Sequence, residues 1–147
     1  MRWEPERLEI ASYPSPGIDL PVFYGDLDTN GHVNNVALGR YFEMGRFEAH
    51  RQLGIGRTSR QYGGHMLVAH VGIDYLAEVH FGTTVHVRTR VTRLGRTSIS
   101  EEQAAWQNDR CVAICESVAA YRKDGVAAAL PEEMRELLAQ LQLAGPD

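Results

Sequence analysis

The order of the predicted elements places the chain in the α+β class, as one domain built from an antiparallel sheet and a long helix. A short strand at residues 18–25 is followed by a helical segment, four strand-like segments and a C-terminal helix. Helices grouped on one face of an antiparallel sheet are typical of this class. The 147 residues form a single predicted domain, 1–147, which can bury about 70% of the surface of the unfolded chain.

The long helix is predicted at residues 36–53, with a capping asparagine before it and Gly54 directly after it. Its apolar side chains spread over a wide arc, which is typical of a deeply buried helix. Gly39 and Gly45 lower the helix propensity, so we expect them to permit a close approach of neighbouring backbone. A curved sheet wrapped around a single central helix explains both features.

Four ranges after this helix are predicted as antiparallel strands: His65–Tyr75, 84–93, 97–106 and 111–122. Residues 56–64, between the helix and the first of these strands, are predicted to form a loop. The segment 97–103 alternates weakly and carries several polar side chains, so it would be half solvated or lie at a subunit contact. An extended N-terminal arm at residues 1–17 and an amphipathic C-terminal helix at residues 131–143 complete the domain.

The charge and the cysteines limit the possible partners and compartments. A net charge of −4 and a pI of about 5.8 disfavour a nucleic-acid-binding protein. Cys111 and Cys115 would lie about 13 Å apart along one strand, too far for a disulfide, and two free thiols suit a reducing cytoplasm. The N-terminus carries charges where a signal peptide needs an apolar run, and no apolar stretch approaches the length of about 18 residues typical of a membrane span. We therefore expect a cytoplasmic protein that binds neither nucleic acid nor membrane.

A dense polar loop between the first strand and the long helix is the candidate active site. Its polar residues are Asp26, Asp28, Asn30, His32, Asn34 and Asn35. The loop precedes a helix N-terminus, where unpaired backbone N–H groups favour a developing negative charge. Stability alone does not require a carboxylate, an imidazole and several amides beside such a terminus, so this loop is the candidate for a catalytic role.

The loop, DLDTNGHVNN at residues 26–35, together with the following Arg-Tyr-Phe-Glu at residues 40–43, resembles the signature of hotdog-fold thioesterases. It resembles the 4-hydroxybenzoyl-CoA thioesterase-like family of bacterial acyl-CoA thioesterases. Its core from Asp28 to Asn35 is also similar to the active-site segment of plant acyl-ACP thioesterases. The likeness covers nearly the whole chain, because the later elements follow in the expected order. It implies a hotdog fold and a homodimer or homotetramer with the site at the subunit interface.

The resemblance implies a role for each polar residue of the loop. Asp28 would be the nucleophile or the general base, and the backbone at Asn35 would contribute to an oxyanion site. Asn30 and His32 would orient the substrate or water, or polarise the carbonyl group. Each also has a plain structural explanation: Asp28 as a turn residue, His32 as a half-buried loop histidine, and Asn34 or Asn35 as a helix cap. Some bacterial relatives carry histidine at the position of Asn35, so a mechanism with an imidazole there would need His32 instead.

Other candidate residues lie outside this loop. Tyr24 would line the pocket by resemblance or belong to the core. Glu43 lies on the helix, where another hotdog branch places its catalytic carboxylate, and we expect at most an indirect role for it here. The predicted coenzyme A contacts are Arg93, Arg96 and Ser98, which suit phosphate groups but could equally form an exposed basic hairpin.

The leading hypothesis is an acyl-CoA thioesterase that releases a free acid and coenzyme A. The alternatives are an acyl-ACP thioesterase, a hydratase or dehydratase on the same scaffold, or a non-catalytic acyl-CoA-binding module. No pair of the six histidines has a metal-ligand spacing, so we expect no metal, and no motif implies a cofactor other than the coenzyme A of the substrate. The absence of a Gly-x-Ser-x-Gly motif argues against an α/β-hydrolase. The acyl chain and the choice between dimer and tetramer stay open.

Overall fold

A computed structural model describes residues 4–143 of the chain. Residues 1–3 of the predicted N-terminal arm and residues 144–147 of the predicted domain lie outside the described residues. The strands of the described part are β1 (Ile18–Pro21), β2 (His65–Tyr75), β3 (Thr84–Leu94), β4 (Ser98–Gln107), β5 (Arg110–Lys123) and β6 (Val126–Ala127). They form one antiparallel sheet in the order β1-β3-β4-β5-β2, with β6 paired to β5. The predicted α+β hotdog arrangement, a curled antiparallel sheet against a long helix, is confirmed.

Three α-helices lie within the described residues: α1 (Asn35–Leu53), α2 (Ile55–Gln61) and α3 (Glu132–Ala139). Asn34 caps α1, because its Oδ1 atom accepts a hydrogen bond of 2.8 Å from the backbone N–H of Ala37. Gly54 follows α1 with a φ of +72°, in the left-handed conformation that glycine adopts readily. Among residues 4–143, no helix combines the length and the apolar character that a membrane crossing requires.

Three predicted boundaries are wrong. Residues predicted as the loop 56–64 contain α2, which starts directly after the left-handed Gly54 and buries Ile55, Thr58 and Ser59. The first strand ends at Pro21, which has no N–H for a longer ladder, and the chain continues into a 3₁₀ turn at Tyr24–Asp26. The C-terminal helix is shorter than predicted.

Helix α1 lies close against the sheet at one glycine. A Cβ atom at Gly45 would lie 2.5 Å from Cγ1 of Val87 on β3, whereas a Cβ atom at Gly39 would meet only Cδ1 of Ile73 at 3.9 Å. The prediction of close packing is therefore confirmed for Gly45 and wrong for Gly39.

One side of α1 stays exposed in the single chain. Leu38, Tyr41 and Phe42 are buried, but Val36, Met44 and Phe47 are 66%, 47% and 61% exposed. The wide apolar arc predicted that α1 is buried on most sides. This prediction is wrong for the exposed apolar stripe of α1 formed by Val36, Met44 and Phe47.

Strand β4 is covered on both faces, contrary to the predicted half-solvated strand or subunit contact. On the face towards α1, Glu101 is 2% exposed and bonds to Nε2 of His50 at 2.8 Å. On the opposite face, Glu102 accepts hydrogen bonds from Tyr13 (2.9 Å), Arg90 (2.6 Å) and Arg7. Glu101 and Glu102 are thus buried with partners rather than solvated.

The N-terminal arm provides part of this cover. It forms two 3₁₀ turns, Pro5–Leu8 and Ile10–Ser12, instead of an extended segment. The ring of Tyr13 packs edge-on against Trp106 with centroids 5.5 Å apart, and the indole of Trp106 donates to the carbonyl of Leu8 at 2.9 Å. The arm therefore belongs to the folded domain.

Asp26 joins the polar loop to α1. Its buried carboxylate accepts hydrogen bonds from the Tyr41 hydroxyl (2.6 Å) and from Arg40 (2.7 Å). Its carbonyl accepts from the backbone N–H (2.8 Å) and the side-chain amide (3.0 Å) of Asn34. The Tyr41 hydroxyl is the main cause that lowers the pKa of Asp26, while burial raises the pKa of Tyr41.

We predict that Gly39→Ala and Gly45→Ala have opposite effects on stability. Alanine favours a helix over glycine, so Gly39→Ala, which meets no close neighbour, should raise the free energy of unfolding by about 0.5–1 kcal/mol. Gly45→Ala should lower it by about 1–3 kcal/mol, because the added methyl group would overlap Val87. Urea denaturation of both variants measures this difference. Equal stabilisation of both would show that α1 has room to move away from β3.

We also predict that Tyr41→Phe lowers the free energy of unfolding at pH 7 by about 1–3 kcal/mol, because Asp26 loses a buried charge-assisted hydrogen bond. Folding lowers the pKa of Asp26, so this contribution exists above the unfolded pKa of about 3.9 and disappears as the pH falls through the folded value. The two proteins should therefore converge in acid. Tyr62→Phe is the matched control, since it removes an exposed hydroxyl–carboxylate bond to Glu133 and should have little effect. A Tyr41→Phe deficit that does not shrink as the pH falls below the unfolded pKa of about 3.9 would contradict this account.

Candidate active site

The polar loop folds into a tight hairpin that ends at the start of α1. Leu27 and Val33 form a β-bridge, and inside it the N–H of Asp28 donates to the carbonyl of His32 at 2.8 Å. Gly31, at the turn, has a φ of +79° and its N–H donates to the carbonyl of Asp28 at 3.0 Å. Glycine is favoured there because side chains disfavour this backbone conformation.

The carboxylate of Asp28 is held by the backbone of its own loop. Its Oδ1 atom accepts hydrogen bonds from the N–H groups of Asn30 (2.8 Å) and His32 (3.3 Å). Both bonds go to one oxygen, and Oδ2 has no hydrogen-bond partner within residues 4–143. Asp28 therefore acts as a turn residue, as its structural explanation predicts. Its second carboxylate oxygen is still available for chemistry.

A cavity of about 430 Å³ brings three predicted site residues together: Asp28, His32 and Asn35. Its other walls are Val33, Leu38 and residues 75–79, which begin at the last residue of β2. The N–H groups of Asn35 and Val36 have no partner within α1, because no helical carbonyl precedes them, and the side chain of Asn34 caps only the N–H of Ala37. A carboxylate, an imidazole and a helix N-terminus thus share one cavity.

The side chain of Asn30 is not part of this cavity lining. Asn30 lies at the exposed tip of the hairpin, and its backbone N–H rather than its amide contacts Asp28. The ring of His32 does line the cavity, and its Nε2 atom lies 3.3 Å from Oε2 of Glu78.

Two residues that sequence reasoning missed, Glu78 and His80, stand beside His32. A β-bridge pairs His32 with His80, and their rings meet edge to face with centroids 4.9 Å apart. The side chains of His32, Glu78 and His80 offer three ligand atoms within 4.8 Å of one another, an arrangement that could hold a metal ion. Histidine spacing along one element gave no sign of this group, because the bridge joins residues far apart in the chain.

Tyr24 and Glu43 lie away from the cavity. Tyr24 is 79% exposed and packs edge-on against Phe81, with ring centroids 6.2 Å apart. Glu43 is exposed on α1, two turns or about 12 Å beyond Asn35 along the helix axis. Neither side chain lines the cavity of Asp28.

The predicted coenzyme A contacts lie at the other end of the sheet. Arg93, Arg96 and Ser98 surround the β3–β4 connection, where Arg135 of α3 donates to the carbonyl of Gly95 at 2.6 Å. Strand register places this end seven or eight residues, about 25 Å, from the end that carries Tyr75 and the candidate site. Within one chain, these three residues and Asp28 are therefore far apart.

A second cavity, of about 540 Å³, lies between the end of α1, the helix α2 and the start of β2, and is called the basic cavity below. It is lined by several basic side chains, namely His50, Arg51, Arg57, Arg60 and His65. Arg51 is paired with Glu48 at 2.6 Å, whereas Arg57 and Arg60 have no ion-pair partner in the described part of the chain. The sequence did not indicate this cavity because α2 was predicted as a loop.

Solved structures share this fold. A thioesterase from Thermus thermophilus, crystallised with coenzyme A and Zn, is 29% identical, with 90% of this chain and 97% of that chain covered and a TM-score of 0.81. A protein from Pseudomonas aeruginosa is 27% identical, with 95% and 98% covered and a TM-score of 0.76. A protein from Bacillus stearothermophilus described as a predicted thioesterase has a TM-score of 0.77 with 88% and 98% covered, and at 22% identity it shows the fold alone.

No curated protein matches the chain by sequence. A family model described as the thioesterase-like superfamily matches residues 22–138. That range contains the polar loop, α1 and almost all of the sheet, and it confirms the resemblance read from the loop. The chain therefore belongs to the thioesterase-like superfamily.

Proposed function

We propose that this protein hydrolyses acyl-CoA thioesters to a free acid and coenzyme A. The observation that carries the proposal is the oriented carboxylate of Asp28, which shares a cavity with His32 and the N-terminus of α1. The family supports a thioester hydrolase, and the similar Thermus thermophilus structure contains coenzyme A. The acyl-CoA substrate is our inference from these observations together.

The proposed reaction needs a group that attacks the thioester carbon and donors that stabilise the carbonyl oxygen. Oδ2 of Asp28 either attacks the carbon to give an acyl–enzyme anhydride, which water then hydrolyses, or removes a proton from the attacking water. The N–H groups of Asn35 and Val36 stabilise the negative oxygen of the tetrahedral intermediate. The C–S bond breaks, and the leaving thiolate takes up a proton, for which the imidazole of His32 is the proposed donor.

We propose that the active unit is a homodimer formed through β2. This strand of eleven residues is an edge of the sheet, and Leu67, Val68, Val71 and Tyr75 on it are 44–51% exposed. A long, apolar, unpaired edge favours pairing with another strand. The exposed apolar stripe of α1 adds surface that a second copy would cover.

A twofold axis at β2 would complete the site. Antiparallel pairing of two β2 strands places the Tyr75 end of one against the His65 end of the other. Tyr75 belongs to the Asp28 cavity and His65 to the basic cavity, so each Asp28 would face the basic cavity of the second chain. Arg57 and Arg60 then suit the phosphates of coenzyme A, in addition to the proposed contacts at Arg93, Arg96 and Ser98.

We predict that Asp28→Asn lowers the rate of thioester cleavage by about two orders of magnitude or more, since it removes the attacking or proton-accepting charge. Asparagine keeps an Oδ1 acceptor for the N–H groups of Asn30 and His32, so the hairpin should persist. Thiol release from a panel of acyl-CoA and acyl-ACP substrates measures the effect. Asp124→Asn is the matched control, because it makes the same chemical change in an exposed turn that lines neither cavity.

The panel also separates the alternatives. Cleavage of acyl-ACP but not acyl-CoA would replace the proposed substrate with the carrier protein. Tight binding of acyl-CoA without any cleavage would indicate a binding module. If Asp28→Asn cleaves as fast as the unmodified protein, Asp28 is not the catalytic carboxylate, and Glu43→Gln is the next variant to measure.

We predict that Val71→Lys converts the protein from a dimer to a monomer and lowers thioester cleavage at the same time. Two like charges would meet near the twofold axis, and the composite site would be lost. Light scattering after size exclusion should show a mass near 16.4 kDa for the variant and twice that value for the unmodified protein. Val126→Lys on β6 is the control, since Val126 is 63% exposed on another strand. An unmodified protein of monomer mass that still cleaves substrate would rule out the proposed dimer.

A further inference from the structure

We infer that His32, Glu78 and His80 form a binding site for a zinc-like divalent cation at the rim of the candidate active site. The Nε2 atom of His32 lies 3.3 Å from Oε2 of Glu78, and Nε2 of His80 lies 4.0 Å from the same oxygen. All three ligand atoms lie within 4.8 Å of one another. Two imidazole nitrogens and one carboxylate oxygen therefore lie close enough together to bind one ion.

The distances are close to those of a tetrahedral site. Zinc bonds of about 2.0–2.2 Å to nitrogen and oxygen place neighbouring ligand atoms roughly 3.3–3.6 Å apart. The pair formed by His32 and Glu78 already has this spacing, and the contact between Glu78 and His80 needs to shorten by about half an ångström. The nitrogens of His32 and His80 lie within 4.8 Å of each other, so they need to approach by at most about 1.5 Å. Side-chain rotation can supply this movement, because the side chains of Glu78 and His80 are 66% and 60% exposed.

The backbone that carries these ligands is fixed before any ion binds. His32 and His80 face each other across a β-bridge, and the N–H of Val33 donates to the carbonyl of Val79 at 2.8 Å. The buried amide of Gln107 accepts from the N–H of His80 (2.9 Å) and donates to its carbonyl (2.8 Å). A site held in this way needs little reorganisation when it binds its ion.

The ligand set selects the class of cation. Two histidines and one carboxylate suit Zn²⁺ and other late first-row divalent ions, whereas Mg²⁺ and Ca²⁺ prefer sites made of oxygen ligands. The carboxylate of Asp28, which lines the same cavity as His32 and Glu78, adds negative charge nearby. Three protein ligands leave a further coordination position for water or another small ligand.

The site shares His32 with the proposed reaction, and this consequence rests on the proposed function. An ion on Nε2 of His32 occupies the lone pair of that nitrogen, so the imidazole can no longer carry a proton there to the leaving thiolate. Bound cation would therefore lower thioester cleavage by this protein. Metal binding itself does not depend on whether the protein is a thioesterase.

The test is calorimetric titration of Zn²⁺ into the full-length protein after treatment with a chelator and dialysis. We expect one saturable site per chain, no comparable binding of Mg²⁺, and an affinity at least about tenfold lower in both His80→Gln and Glu78→Gln. His86→Gln is the matched control, because His86 also pairs with a carboxylate, that of Asp19 at 2.9 Å, but belongs to no three-ligand group in the described residues. Circular dichroism in the absence of metal checks that each variant is folded.

Two results would overturn the inference: no saturable Zn²⁺ binding by the unmodified protein, or equal affinity in His80→Gln. A second readout compares thioester cleavage with and without saturating Zn²⁺ in each protein. The rate of cleavage with Zn²⁺ divided by the rate without it should be well below one in the unmodified protein and in His86→Gln. In His80→Gln this ratio should be closer to one. A protein that binds Zn²⁺ through His80 but cleaves no thioester would refute the proposed function and leave the cation site standing.

Discussion

The burial of three polar residues in the middle of the sheet is the constraint on which this structure depends. Glu101, Glu102 and Gln103 follow one another on β4, and each is at most 4% exposed. Buried carboxylates are costly unless they are paired and hydrogen-bonded. Side chains alternate along a strand, so Glu101 and Gln103 lie on one face of β4 and Glu102 on the other. The chain must therefore supply partners on both faces, from α1 at His50 and from the N-terminal arm at Tyr13. These partners set the place of the long helix and of the arm.

The position of α1 in turn places the candidate site. Once α1 lies against the sheet, Leu38 of its first turn is buried in the core, and the Asn34 cap and the Asp26 carboxylate hold the polar hairpin at this end of the helix. The local sequence then aims Asp28 through hydrogen bonds inside the hairpin. The structural role of Asp26 and the proposed chemical role of Asp28 thus belong to two aspartates only two residues apart.

The sequence predicted well whatever depends on near neighbours and poorly whatever depends on distant ones. An asparagine cap at residue 34 or 35, a helix end at Gly54 and the strand His65–Tyr75 follow from short-range rules, and the structure confirms all three, with Asn34 as the cap. The burial of both faces of β4 could not be predicted, because polar side chains in a strand normally indicate a face exposed to solvent. Nor could the approach of His80 to His32, since a bridge between them leaves no periodic pattern. Tyr24 was placed on a strand that in fact stops earlier, at a proline.

The bridge between His32 and His80 also makes the candidate site depend on a long-range contact of the folded chain. It closes a loop that includes all of α1, α2 and β2, and the entropy lost in closing so long a loop has to be offset by contacts elsewhere in the sheet. A collapsed intermediate with native helices but incomplete strand pairing would therefore have the Asp28 hairpin without the opposite wall of its cavity. Ligand binding at this cavity would then report the completed topology of the chain, which helix content alone cannot do.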